Sequence, residues 1–385
     1  MEKNILNKLR CVFAAISWVL LSTGSQANDK KQADPLLMPA QQSSRVASKL
    51  MIDVFALSRR LVAVGEHGLI IYSDNQGKSW TQAQVPVSVG LTSVYFVNDE
   101  LGWVAGHDGI ILGTRDGGAN WTKLFDGNLA NEQVVANAEL REREKRESFN
   151  AAVGARKIKA QRQLELAENA LLDAKAGSKF GPARPFFSVL FNNASEGFVA
   201  GSFGQLFYTK DGGKNWSFIG DRLDNPENLH LYSINLISSR KISIAGEGGR
   251  IYFSDDGGDT WRRLETGYNG QWYGMLVFRD GNDKDIFLAY GFGGRIYRSQ
   301  DEGDSWAEVK TEFKRSIVRA FHIEDGSIRL VDASGRLIRS DDYGMSFKLI
   351  SAPQKPVSGA TRLSGQVFVS GVGGVNRIAE ELTAK

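Results

Sequence analysis

The sequence predicts an all-β fold, a seven-bladed β-propeller with an inserted helical hairpin. Three observations carry that prediction. A phrase first met as VAVGEHGLIIYSDNQGKSW (Val62–Trp80) returns down the chain. Each full copy ends on Trp80, Trp121, Trp216, Trp261, Trp306 or Phe347, at spacings of 41, 95, 45, 45 and 41 residues. The one long interval contains a stretch of helix-forming composition. A repeat of 40 to 45 residues with four short strands is the signature of a propeller blade.

The first residues read as an address. Lys3, Lys8 and Arg10 precede an apolar run from Cys11 to Leu21, and Ser25-Gln26-Ala27 follows. That order reads as a secretory signal peptide over residues 1–27, cut after Ala27. The run is short for a membrane anchor, which is the alternative. Cys11 is the only cysteine, so the exported chain has none to mispair in an oxidising compartment. The expected location is the periplasm.

Composition narrows the function. Among 385 residues, 47 Lys and Arg face 44 Asp and Glu, and 42% are apolar. Such a chain folds around a core, and its near-neutral charge speaks against a nucleic-acid partner. No cofactor motif is present, because the Gly-rich phrases precede strands rather than helices.

Each blade reads as four strands. An apolar run such as Val54–Leu57 or Val94–Val97 is the first, and the Val-Ala-x-Gly run is the second. A Gly-x-x-Gly hairpin leads into the third. The turn into the fourth reads Ser/Thr-x-Asp-x-Gly-x-x-Trp. Its acids are Asp116, Asp211, Asp256, Asp301 and Asp342, with Asn75 in the first copy. An acid placed there accepts backbone N–H groups of its own turn, and the Trp inserts between sheets. These acids are structural. They lack the alternating carboxylates and closing Glu of a calcium loop.

Blades one and two span residues 46–126, and blades three to seven span 186–385, the seventh breaking off after FVSGVGGVNRIA. Residues 28–45 precede the ring, and Asp34–Ser43 is the candidate outer strand that closes blade seven. Closure matters, since an open ring exposes a sheet edge.

Strand direction places the Gly-x-x-Gly hairpins and the blade-to-blade connections on one face, called upper here. Arg250, Arg295 and Arg336 recur at one position of those hairpins, an arc suited to carboxylates or phosphates. Tyr268, Trp272 and Tyr273 in the connection between blades four and five are candidate contacts, although Trp272 or Tyr273 also suits a strand. Lys314 and Arg315 add positive charge nearby. Glu66, His67, His107, Asp108 and Glu247 sit on different hairpins and match no compact ligand set, so no metal is expected.

Residues 127–185 form the insertion. Two helices are expected, over about 131–151 and 156–175, each about 30 Å long, with Gly154 at the bend. The arm carries ten basic and eight acidic residues over 127–180, among them the cluster Arg156, Lys157, Lys159 and Arg162. That cluster suits an acidic partner or lipid head groups.

The Ser-x-Asp-x-Gly-x-x-Trp turn is the Asp-box (BNR) repeat. In the longer form Gly-x-x-Gly-x-Ile-Tyr-x-Ser/Thr-x-Asp-Gly-Gly-x-x-Trp the chain resembles the photosystem II stability/assembly factor family of seven-bladed propellers. The resemblance covers about residues 50–379, apart from the insertion. It implies a non-enzymatic protein that helps a membrane protein complex assemble, with an arginine-rich binding patch. The expected partner is the periplasmic part of a membrane protein, such as a transporter, with peripheral lipid contact through the arm. Sialidases and sortilin-like receptors share the Asp-box, so a carbohydrate-binding or receptor-like propeller and a sialidase-like hydrolase are the alternatives. The hydrolase lacks a placeable Tyr–Glu pair.

Overall fold

The structure is a computed structural model that describes residues 34–379. The signal-peptide reading of 1–27 lies outside the described residues, as do 28–33 and 380–385.

Seven antiparallel sheets follow one another along the chain. Blade one comprises β1 (Met51–Ala56), β2 (Leu61–Gly65), β3 (Ile70–Ser73) and β4 (Thr81–Gln82). Blade two comprises β5 (Leu91–Phe96), β6 (Gly102–Gly106), β7 (Ile111–Thr114) and β8 (Thr122–Phe125). After the helices α1 (Gly127–Ala151) and α2 (Arg156–Ser178), blade three comprises β9 (Phe186–Phe191), β10 (Gly197–Gly201), β11 (Leu206–Thr209) and β12 (Ser217–Phe218). Blade four comprises β13 (Leu231–Leu236), β14 (Ile242–Gly246), β15 (Ile251–Ser254) and β16 (Arg262–Leu264). Blade five comprises β17 (Trp272–Arg279), β18 (Asp285–Gly291), β19 (Ile296–Ser299) and β20 (Ala307–Glu308). Blade six comprises β21 (Ile317–His322), β22 (Ile328–Asp332), β23 (Leu337–Ser340) and β24 (Lys348–Leu349). Blade seven has three strands among the described residues, β25 (Val357–Leu363), β26 (Gln366–Gly371) and β27 (Gly374–Ile378).

The first strand of each blade packs beside that of the next, from β1 against β5 round to β25 against β1. The core therefore lies between blades. Seven separate apolar clusters fill the seven interfaces. Each Asp-box aromatic packs into the interface with the preceding blade. Trp121 joins blades one and two, Trp216 two and three, Trp261 three and four, Trp306 four and five, Phe347 five and six, and Trp80 seven and one. An Asp-box aromatic in six of the seven interfaces is why a Trp recurs at the blade period.

The Asp-box turns behave as the residue types predict. In blade two, Asp116 Oδ1 accepts from Thr114 Oγ1 at 2.8 Å and from Asn120 N at 3.0 Å. Trp121 Nε1 donates to Gly118 O at 2.9 Å. Blades three to five repeat the set with Asp211, Asp256 and Asp301. The blade-six turn keeps the acid contacts through Asp342. Asn75 keeps the essential acceptor, because its Oδ1 takes Ser79 N at 2.9 Å while its Nδ2 donates to Ser79 Oγ at 2.8 Å.

Closure differs from the expectation. The Asp34–Ser43 segment pairs with the connection between blades one and two rather than with β27. Ala40 N donates to Val85 O at 3.1 Å, and Ser88 N donates to Pro35 O at 2.9 Å. Leu36 and Ala40 are buried there beside Ala83, Val85 and Val87. That placement removes both side chains from water. The ring closes instead through side chains: Ser358 Oγ and Ser370 Oγ donate to Ile52 O at 2.7 and 3.2 Å.

The arm starts earlier than its composition predicts. Asp126 caps α1, accepting from Asn128 N at 2.9 Å and from Leu129 N at 3.5 Å, so the helix begins at Gly127. The helices are clasped by Arg146 to Glu168 at 2.7 Å and Lys175 to Glu139 at 2.8 Å. The base of the arm is docked on blade three. Gln133 Nε2 donates to Trp216 O at 2.7 Å, and Gln133 Oε1 accepts from Phe218 N at 2.9 Å. One side-chain amide thereby meets the carbonyl just before the edge strand β12 and an N–H within it. An otherwise open edge is covered.

Candidate functional site

The site is built on a repeated irregularity. In all seven innermost strands the pairing skips one residue near the upper end, leaving Ile52, Thr92, Phe187, Tyr232, Tyr273, Val318 and Ser358 unpaired. Such a bulge turns one side chain out of the ladder. All seven residues line the central channel, a cavity of about 710 Å³. Around one part of the rim they are small or aliphatic and knit the ring together, as when Thr92 Oγ1 donates to Phe186 O at 2.7 Å.

Blades three to five carry aromatics at this position. Phe187 and Tyr232 lie 5.9 Å apart between ring centroids, and Tyr232 and Tyr273 lie 5.7 Å apart. The row continues outward. Phe187 meets His230 at 6.1 Å, and His230 meets Phe203 edge-on at 5.0 Å. Phe203 stands on the upper hairpin of blade three at φ 55° and is 51% exposed. His230 Nδ1 accepts from Phe203 N at 2.9 Å, which puts the imidazole proton on Nε2 and holds the hairpin against the row.

Beyond Phe203 the row opens into a groove of about 730 Å³ between the arm and blade three. Arg141, Ala170 and Arg184 line one side, with Phe203, Asp221 and Asn225 opposite. The Arg184 guanidinium lies 5.1 Å over the Phe203 ring. Arg141 Nη1 stands 3.9 Å from Asp221. A continuous apolar track therefore leads from a charged groove to the channel mouth. Burial pushes the Tyr232 phenol up to about 12, so it remains a hydrogen-bond donor at neutral pH. Aromatic rings with polar tips, half exposed in a concave path, suit an extended peptide.

Deeper in the channel, Arg319 Nη2 donates to Asp53 Oδ1 at 3.0 Å, and Asp53 Oδ2 accepts from Val94 N at 3.1 Å. Burial raises the Asp53 carboxyl above its ordinary value, against the pull of Arg319 and of the Val94 and Val54 N–H groups.

Several sequence candidates sit apart from the track. Arg250 pairs with Glu227 at 3.1 Å, Arg295 pairs with Glu308, and Arg336 pairs with the buried Asp332 at 2.6 Å. Each arginine is held by an acid of its own blade or of the adjoining connection. Trp272 is fully buried in the interface of blades four and five, with Tyr268 edge-on at 4.8 Å. Its strand position turns it inward, and only its neighbour Tyr273 reaches the mouth. Lys314 and Arg315 are exposed on the connection between blades five and six. Arg156, Lys157, Lys159 and Arg162 are exposed at the far end of the arm. Among the described residues no three His, Cys, Asp or Glu side chains are grouped to hold a metal.

Phe187, Tyr232, His230 and Phe203 were not singled out from sequence as a contact site. The signal was present at the second residue of each innermost strand, where three successive blades carry Phe, Tyr and Tyr.

The profile of the family described as "Photosynthesis system II assembly factor YCF48" matches residues 40–137 and 182–338. The chain belongs to this family. The match breaks off at 137 and resumes at 182, so most of the arm lies outside the family pattern. A curated relative, "Photosystem II assembly lipoprotein Ycf48" of Synechococcus sp. (strain CC9902), is 34% identical over 80 residues. Those residues are 20% of this chain and span 24% of the relative. The solved structure "YCF48 bound to D1 peptide" superposes with TM-score 0.57 at 16% identity, covering 92% of this chain and all of that one. The WD40 β-propeller domain of Doa1 superposes with TM-score 0.55 at 13% identity, over 89% of this chain and 96% of that one. These two likenesses concern the fold. Membership of an assembly-factor family points to a non-enzymatic role.

Proposed function

We propose that this YCF48-family propeller is a non-catalytic assembly or stability factor for a membrane protein complex, and that it holds an extended segment of its client along the Phe203–His230–Phe187–Tyr232–Tyr273 track. The single observation that carries the reading is the track itself, aromatic in three successive blades and open from the arm groove to the channel mouth. The solved relative holds a D1 peptide, which supports a peptide as the ligand class. Rigid aromatic side chains give up little entropy on contact and commonly dominate such interfaces. Work in the periplasm, with a transporter among the clients to be tested, belongs to the same proposal.

The test is capture in the native membrane. A photo-crosslinking residue in place of Tyr232 traps a segment of a membrane protein, and mass spectrometry identifies it. Replacing Phe187, Tyr232 and Tyr273 by alanine weakens binding of that segment about tenfold or more per aromatic. Unchanged binding with the ring intact by circular dichroism would exclude the track.

A further inference from the structure

The far end of the arm is unlike the rest of it. Elsewhere on the arm acids and bases are interspersed, and some pair, as Arg146 does with Glu142 and Glu168 and Lys175 with Glu139. From Phe149 to Gln163 the chain carries Arg156, Lys157, Lys159 and Arg162 and no acid. Among the described residues none of the four has an ion-pair partner, although Lys157 lies 5.2 Å over the Phe149 ring. Between the helices the chain turns at Gly154 with φ 57°, and a side chain there would meet nothing within 4 Å. Val153 and Ile158 flank that turn, each 77% exposed.

At this turn two largely exposed aliphatic side chains stand beside four exposed cations of the first two turns of α2. They match a layer that yields to them. Aliphatic groups enter the boundary between head groups and acyl chains while Lys and Arg stay at the phosphates. The docked base and the clasped helices make the arm a stiff spacer. α1 has 25 residues, so at 1.5 Å per residue it is about 37 Å long.

We propose that the arm tip is a peripheral anchor for an anionic phospholipid bilayer, in which Val153 and Ile158 enter the head-group boundary while Arg156, Lys157, Lys159 and Arg162 bind lipid phosphates. The anchor sits outside the family match and is independent of the peptide track. Attachment is reversible and salt-sensitive, since each surface cation contributes about fivefold to partitioning at low salt.

Residues 28–385 contain the compact unit of ring and arm and no cysteine, which makes the test direct. Val153→Cys is labelled with an environment-sensitive nitrobenzoxadiazole dye, and Asp99→Cys on the opposite face of the ring is the control. Vesicles of one part phosphatidylglycerol to three parts phosphatidylethanolamine are added at low salt, with pure phosphatidylcholine vesicles as the neutral comparison. Emission of the Val153 label rises with the anionic vesicles and not the neutral ones, while the Asp99 label is silent. Changing all four cations to glutamine lowers co-sedimentation about a hundredfold or more. The V153S/I158S variant lowers it while leaving the ring's circular dichroism unchanged. Equal response of both labels, binding that survives loss of the four cations, or capture of an acidic protein without vesicle binding would each overturn the anchor.

Discussion

Asp53 on the innermost strand of blade one accepts a 3.0 Å hydrogen bond from Arg319 on that of blade six. Blade seven stands between them. The contact is feasible because blade seven carries Gly359 at the matching position, one residue past the bulge. A Cβ there would lie 2.8 Å from Asp53 Oδ1 and 2.6 Å from Ser370 Oγ. Asp53 also holds Val94 N–H of blade two, so one carboxylate links three blades.

Removing that carboxylate leaves a guanidinium and an N–H short of partners. Asp53→Ala lowers unfolding free energy by about 2–3 kcal/mol, read from urea unfolding. Gly359→Ala costs about 1–3 kcal/mol by crowding. The two are not additive, because shortening Asp53 removes part of what the new methyl strikes. Additive losses would show that the two residues do not share this contact.

The Asp-box carboxylates predict how the ring responds to acid. Bonds from the Thr260 hydroxyl and backbone hold Asp256 at about 2, and bonds from the Ser305 hydroxyl and backbone hold Asp301 at about 2. A carboxyl lowered in the folded state stabilises it fully above its unfolded value. That contribution fades as pH falls from about 4 to about 2. The Asp301→Asn variant retains the Oδ1 acceptor, as Asn75 does, and flattens this acid limb. Melting temperatures followed over that range check it, and an unchanged slope would count against the carboxylate account.

Neighbouring residues in β17 separate core from site. Trp272→Ala opens a cavity between blades four and five and costs about 3–5 kcal/mol in unfolding free energy. Tyr273→Ala, one residue on, costs less than about 1 kcal/mol, because the ring is half exposed in the mouth. Denaturation curves of the two variants make the comparison, and equal losses would refute the inward and outward assignment.

Gln133 predicts how the arm is held. Gln133→Ala frees the edge of β12 and costs about 1 kcal/mol. Amide exchange at Phe218 then quickens while the Asp-box amides stay protected. Replacing residues 131–175 by a short Gly-Ser linker bares that edge and promotes self-association, visible in sedimentation velocity.

The blade count, the Asp-box turns and the helical insertion were legible in the sequence for one physical reason. Each is encoded in a few adjacent residues: Ser or Thr, Asp, Gly and Trp within one eight-residue turn, or Ala, Glu and Lys within one helix. Lateral relations were not local and only the ring decided them. Leu36 and Ala40 pack between blades one and two rather than along blade seven, and Arg250, Arg295 and Arg336 met acids near them in space. The bulges set Phe187, Tyr232 and Tyr273 side by side although 86 residues separate the first from the last. Sequence determines which way each short segment turns, while closure of seven sheets into one ring decides which of those segments meet.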